Sequence, residues 1–437
     1  MKNYHDDKQL VLFSDVTASK EPSKTIADFS DNKIVSVSFR DLVPQIKDTG
    51  YLTHSVYYYP AKFIPHVVRH CIESFTKEDD WVIDPFAGSG TVGLEAYLCK
   101  RNSFLLDLNP LLDHIMPVKI PEEEKELSES VLYGLLQDMQ KSEIVFRPSW
   151  SNLDYWYPDK ILEVLSKYWG WQKTLRKDIY SLIIESSLIK VSKHFSYAEH
   201  KAPKLFKSKK KSKYIEELLK SDWLEKLDEM IFKLASETLK SINQFIVMTK
   251  GYKKHVIFHG GIDSSRYKFD SNDNFDALVT SPPYLQAQEY IRTAKMDLYW
   301  LGYNDVNIKT LSKLEIPYRK PNRIIHTETL QKVKSVLRRR DLVQLLDSYF
   351  CHTISALENS MGRLKSNSKA CIFVGSPKID GFEVEIWKIL MEYFIERGYL
   401  FEVVYEDRIK ARQLFGSRKN KNPEGMESEY LLVLKKE

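Results

Sequence analysis

Thr280-Ser281-Pro282-Pro283-Tyr284 sets two hydrogen-bond acceptors, a rigid double proline and an aromatic ring side by side. Such a segment suits chemistry on an amino group conjugated to a ring. The nitrogen lone pair must leave conjugation before it can attack an electrophile, and acceptors facing the NH2 group favour that change. The Ser281 hydroxyl oxygen and the Pro282 carbonyl are such acceptors. Pro282 and Pro283 fix φ and preorganise them, and Tyr284 offers a face on which a flipped base can stack. The apolar run Ala277-Leu278-Val279 just before reads as a strand, so the segment belongs at the carboxyl end of a sheet strand, where α/β enzymes place their sites. A Pro-Pro loop with no chemistry is the plainer reading of the same residues.

A second constellation, Asp84-Pro85-Phe86-Ala87-Gly88-Ser89-Gly90-Thr91-Val92-Gly93, follows an apolar strand and opens a helix. Its GxGxxG at Gly88, Gly90 and Gly93 permits a tight turn and close backbone approach to a nucleotide. Asp107, at the end of the next strand, can accept hydrogen bonds from ribose hydroxyls. A dinucleotide and S-adenosylmethionine both meet those requirements. The carboxylate of Asp84 favours the latter, since it suits the cationic amino group of a methionine moiety and repels a pyrophosphate.

The run DPFAGSGT with SPPY downstream resembles the DNA amino-methyltransferase family, as does the extended segment SPPYLQAQEYIRTAKMDLYWLGY. The resemblance covers about residues 50 to 120 and 250 to 437. It implies a Rossmann-like methyltransferase fold, S-adenosylmethionine as cofactor and double-stranded DNA as substrate. It makes Asp84, Pro85, Phe86, Gly88, Gly90, Thr91 and Asp107 cofactor residues. Upstream, Tyr59, Pro60, Lys62 and Phe63 of YPAKF look like the segment that closes over the methionine end, and Asp263 like the acceptor of the adenine amino group. Ser281, Pro282, Pro283 and Tyr284 become the catalytic segment. Serine in its first position goes, in that family, mostly with N4 of cytosine, so N4-cytosine is the expectation and N6-adenine, or an RNA target, the alternative. A site-specific modification enzyme of a restriction-modification or defence system, paired with a separately acting nuclease or defence partner, is the implied setting.

Other classes explain less. An inactive nucleic-acid-binding subunit of the same fold does not need the intact Asp84, Ser281, Pro282 and Tyr284. A nicotinamide oxidoreductase leaves SPPY without purpose. No Pro-Cys dipeptide occurs, so the cysteine nucleophile of carbon-5 cytosine methylation has no candidate. Direct transfer to nitrogen needs neither a covalent enzyme intermediate nor a metal, and none is expected. A nuclease site at Asp380, Glu383, Glu385 and Lys388 is discounted, because Glu383, Glu385 and Lys388 fit the polar side of a helix running from Phe382.

Net charge is only +5, from 65 basic and 60 acidic residues, so nucleic-acid contact must come from local clusters. The richest is Lys204, Lys207, Lys209, Lys210 and Lys211, interleaved with Phe206; Arg319, Lys320 and Arg323 beside Tyr318 form a second. Phosphate neutralisation with stacking is their functional reading, a solvated face the plain one.

The elements that must carry these groups follow from apolar patterning. At 437 residues with 43% hydrophobic and 29% charged content, the chain suits one large α/β domain with an insertion. Residues 1–45 read as an N-terminal arm or cap. Residues 46–120 and 250–437 read as the catalytic domain, a mostly parallel twisted sheet whose last two strands form an antiparallel edge pair. Residues 121–249 read as a helical, basic insertion and a candidate target-recognition region. The four scattered cysteines form no CxxC pair, which fits a reducing cytosol. Nowhere are there the roughly 18 unbroken apolar residues of a membrane span, so a cytoplasmic location is expected.

Overall fold

A computed structural model describes residues 34–59, 62–199, 205–285, 289–316, 318–409 and 426–437. The chain begins with β1 (Ile34–Val37), α1 (Phe39–Leu42), α2 (Pro65–Phe75), β2 (Trp81–Asp84), α3 (Thr91–Leu98), β3 (Asn102–Asp107) and α4 (Leu111–Lys119). Helices follow: α5 (Glu129–Gln140), α6 (Leu153–Trp156), α7 (Asp159–Gln172), α8 (Ile179–His194), α9 (Lys209–Leu218) and α10 (Trp223–Met248). Then come β4 (Val256–Gly260), β5 (Phe275–Thr280), α11 (Tyr290–Leu301), α12 (Asp305–Leu314), α13 (Glu328–Val336), α14 (Arg340–Met361) and β6 (Leu364–Gly375). The short pair β7 (Lys378–Ile379) and β8 (Phe382–Glu383) precedes α15 (Ile386–Ile395), β9 (Tyr399–Arg408) and β10 (Ser428–Lys436).

Eight of these strands form one sheet in the order β1-β9-β10-β6-β5-β2-β3-β4. Among the described strands of this sheet only β10 runs against its neighbours, β6 and β9. The strand order reverses between β2, which leads to β3 and β4, and β5, which leads to β6. An open parallel sheet has its crevice at such a reversal, outside the carboxyl ends of the strands. Asp84 ends β2 and Thr280 ends β5, so both chemical segments emerge there.

The strands read as near-continuous apolar runs because both faces of the sheet are covered. Alternate residues point opposite ways: Val82, Leu105, Val279 and Cys371 pack on α2, α3 and α4, whereas Ile83, Leu106, Leu278 and Ile372 pack on α14 and α15. The helices of residues 129–248 share a core with the sheet domain. Leu111 and Ile115 of α4 and Ile291, Met296 and Trp300 of α11 join Leu162, Trp169, Leu188 and Ile231 in one apolar cluster. Trp150 stacks on Tyr299 at 4.6 Å, and Trp169 on Trp300 at 5.7 Å. Helix α11, which follows the Ser-Pro-Pro-Tyr segment, is thereby clamped by the helices of residues 129–248.

Two expectations change. Residues 34–37, placed within an arm, extend the sheet as β1, parallel to β9; the antiparallel pair β9–β10 therefore lies one strand inside the edge. The helix expected from Phe382 begins at Ile386. Before it, Asp380 (φ 52°) and Gly381 (φ 85°) turn a small hairpin that pairs Ile379 with Phe382, because an Asp-Gly step accepts two positive φ angles at low cost. Glu383 is therefore in a strand. Among the described residues no helix is long and apolar enough to cross a membrane.

Candidate active site

Gly88 and Gly90 take φ of 55° and 73° in the turn after β2. Gly90 caps α3 in the left-handed region, and a Cβ there would lie 2.0 Å from Met116 Sδ. The turn is tied to β3 by the carboxylate of Asp107, which accepts from the Gly88 amide and the Asn109 amide, both at 2.7 Å. Burial raises Asp107 to about 6. From beneath, the fully buried Lys119 ammonium donates to the Ser89 carbonyl at 2.6 Å.

The two motifs meet directly. Asp84 is buried, and its Oδ1 accepts from the Thr280 hydroxyl at 2.6 Å and from the Phe86 amide at 3.0 Å. Burial lifts Asp84 to about 7 against the pull of these donors. This bond joins the end of β2 to the end of β5, so the glycine turn and the Ser-Pro-Pro segment share one edge of the sheet.

Between them lies a cleft. Tyr59, Lys62, Phe63, Pro85, Phe86, Gly88, Thr91, Asp107, Asp263, Ser281 and Pro283 all line it. Asp84, Gly90, Pro282 and Tyr284 adjoin these residues in the chain without lining the cleft themselves. Pro60 lies outside the described residues. Tyr59 stacks on Tyr290 at 5.8 Å and 18°, and Phe63 on Phe373 at 5.5 Å and 19°. Lys62 donates to the His54 carbonyl at 2.8 Å, and burial draws it down to about 8. Among the described residues the buried Thr91 hydroxyl has no hydrogen-bond partner. A cleft-lining hydroxyl left so costs free energy unless a ligand or water completes it.

Several cleft residues carry no sequence signal. Tyr290 and Glu315 are examples: Glu315 accepts from the Ile291 amide at 2.8 Å and is raised by burial to about 7. Arg319, expected on DNA from its basic run, also lines the cleft. Its guanidinium reaches Asp263 Oδ2 at 2.7 Å, with both side chains largely covered. Asp263 also accepts from the Ser265 hydroxyl at 2.6 Å.

The other basic residues divide. Lys211 is buried, its ammonium donating to the His194 carbonyl at 2.7 Å, and burial lowers it to about 8. That removes it from any open phosphate-binding face. Lys207 lies over the rings of Tyr197 and Tyr155 at 3.9 and 4.8 Å. Lys209, Lys210 and Lys320 are exposed. Arg323 is partly exposed and pairs with Glu358. Lys204 lies outside the described residues.

A sequence profile of the DNA methylase family, covering N6- and N4-type enzymes, matches residues 15–115. The Type II methyltransferase M.BsoBI of Geobacillus stearothermophilus is 23% identical over 312 residues, 63% of this chain and 58% of that protein. The Type II methyltransferase M.MvaI of Kocuria varians is 22% identical over 313 residues, 66% of each chain. This chain therefore spans somewhat less than two thirds of either relative. A shorter match, 46% over 48 residues, joins it to the Type II methyltransferase M.XycI of Xanthomonas campestris pv. cyanopsidis, covering 11% of this chain and 16% of that one.

Proposed function

The chain belongs to the DNA amino-methyltransferase family, and from that premise we propose that it methylates an exocyclic amino group of a base flipped out of double-stranded DNA, most specifically N4 of cytosine. The observation that carries this reading is the Asp84–Thr280 hydrogen bond at the strand-order reversal. It brings the glycine turn and the Ser-Pro-Pro segment to one cleft, which supports reading them as the cofactor side and the target side.

S-adenosylmethionine, when bound, supplies a methyl group on a cationic sulfur. The residues present fit it. Gly88 would let the backbone approach closely, Asp107 would accept from ribose hydroxyls, Asp263 would accept from the adenine amino group, and the Thr91 hydroxyl, without a partner among the described residues, would gain one. Tyr59 and Phe63 cover the methionine end, and Asp84 contributes negative potential from just behind the turn. On the other side, the Ser281 hydroxyl oxygen and the Pro282 carbonyl accept from the target NH2 group. They would draw its lone pair out of conjugation with the ring and so make the nitrogen nucleophilic. Closing the cleft around both reactants supplies proximity and excludes water.

In this reading the helices of residues 129–248 carry target recognition, with Lys207, Lys209 and Lys210 toward phosphates, and the enzyme serves a modification system beside a separate nuclease. The test is direct. Unmethylated DNA is incubated with the full chain and labelled S-adenosylmethionine, digested to nucleosides and resolved by mass. N4-methylcytosine is the expected product, and Ser281→Ala should cut its yield by about 100-fold or more. N6-methyladenine instead would move the assignment to adenine, and no methylated nucleoside would refute the reading.

A further inference from the structure

Tyr284 is anchored on a strand two places from its own. It follows β5; β6 lies beside β5, and β10 beyond β6. Its phenol donates to Glu429 Oε1 of β10, so side chain and loop together cross two strand spacings, about 10 Å. Gly375, at the carboxyl end of β6, makes the crossing feasible. It is the register partner of Glu429. A Cβ on it would come within 3.2 Å of Tyr284 Cε1 and 1.9 Å of Met426 Sδ. The ring is thus laid against bare backbone and held at its tip by an acid that is only 8% exposed.

Nothing in the fold requires an acid at this place. The pairing of β10 with β6 and β9 is made by backbone groups, and Glu429 does not line the cofactor cleft. Its side chain accepts from the tyrosine of the catalytic segment. A ring that must receive a flipped base gains from being immobile beforehand, since ordering it during binding would reduce affinity. Stacking also depends on ring orientation.

We propose that Glu429 is a positioning residue for methyl transfer: it locks the Tyr284 ring in the orientation on which the target base stacks. This rests on the amino-methyltransferase reading above. Glu429 touches neither the cofactor nor the reacting nitrogen, and acts only through Tyr284.

The test uses the full chain with unmethylated bacteriophage DNA and compares Glu429→Ala, Glu429→Gln, Tyr284→Phe and the double variant Tyr284→Phe/Glu429→Ala. Glu429→Ala should lower kcat/KM for DNA by about 10-fold, with the S-adenosylmethionine Kd, read by calorimetry, unchanged within about 2-fold. Glu429→Gln keeps an acceptor oxygen and should recover to within about 3-fold of the parent. Tyr284→Phe should fall as far as Glu429→Ala, and the double variant no further, because one bond is lost in each case. Additive losses, no rescue by glutamine, or a cofactor Kd that rises in step would overturn the assignment. A parent chain that transfers no methyl group to DNA would sink the underlying function and this inference with it.

Discussion

Replacing Gly90 by alanine should damage the glycine turn after β2 by an amount that can be worked out from its surroundings. Gly90 sits at φ +73°, and an added Cβ would stand 2.0 Å from Met116 Sδ, in a side chain that is itself 1% exposed. A side chain in the left-handed region costs about 1–2 kcal/mol, and forcing a buried neighbour aside about 1–3 kcal/mol more. The stiffer unfolded chain returns about 0.4–1 kcal/mol. The net loss should be about 1–5 kcal/mol. Gly251 is the internal control: its φ is +84°, yet nothing lies within 4 Å of its added Cβ. Gly251→Ala should cost only the backbone share, about 1 kcal/mol. Urea unfolding followed by tryptophan fluorescence reads both. Met116→Ala combined with Gly90→Ala should show a favourable coupling of about 1–3 kcal/mol in a double-mutant cycle, since it removes the obstructing sulfur. Equal losses at Gly90 and Gly251, or additivity with Met116→Ala, would refute the close packing of turn against α4.

Other consequences can be tested alongside. Asp84 is raised by burial to about 7, so it is charged above that pH and neutral below; affinity for cationic S-adenosylmethionine should weaken as pH falls from 8 to 6, and Asp84→Asn should bind weakly with no such slope in calorimetric titrations. Among the lysines, Lys209→Ala and Lys210→Ala should each reduce the slope of log DNA affinity against log salt by about 0.9. Lys211→Ala should leave that slope alone and lower the unfolding midpoint instead, because Lys211 is buried against the His194 carbonyl. Glu95 accepts from the His54 ring at 2.7 Å and from Arg69 at 2.7 Å. Burial would raise it, but Arg69, His54 and Tyr51 hold it down to about 2. Because that lies below its ordinary value, the stabilisation is present above about pH 4.5 and lost as pH falls through about 2. Glu95→Ala, which strands Arg69 and His54, should cost about 3–5 kcal/mol at pH 7 in denaturant unfolding.

Both chemical segments were legible without coordinates, for a local reason. A turn that approaches a nucleotide needs glycines at set positions after a strand, and an acceptor pair facing an amino group is stiffened by adjacent prolines. These demands fall on consecutive residues, so Gly88, Gly90, Ser281 and Pro282 declare themselves in the chain. The strands of the sheet other than β1 did so too, because a sheet covered on both faces leaves short, continuous apolar runs.

What tertiary structure decided are contacts between distant segments of ordinary composition. Lys211 and Arg319 looked like phosphate binders because charge runs read as exposed; the fold turned one onto the His194 carbonyl and the other onto Asp263. The Asp-Gly step at 380–381 carried a hairpin signal that the helical spacing around it masked. Residues 121–249 read as an insertion by spacing alone, whereas the single core they share with α4 and α11 depends on aromatic faces meeting across the chain. Tyr284 announced itself in the sequence, but its anchor Glu429 lies 145 residues onward. Only the strand order brings the two together, since an acid at the start of an edge-proximal strand has no local feature that distinguishes it from a solvated one.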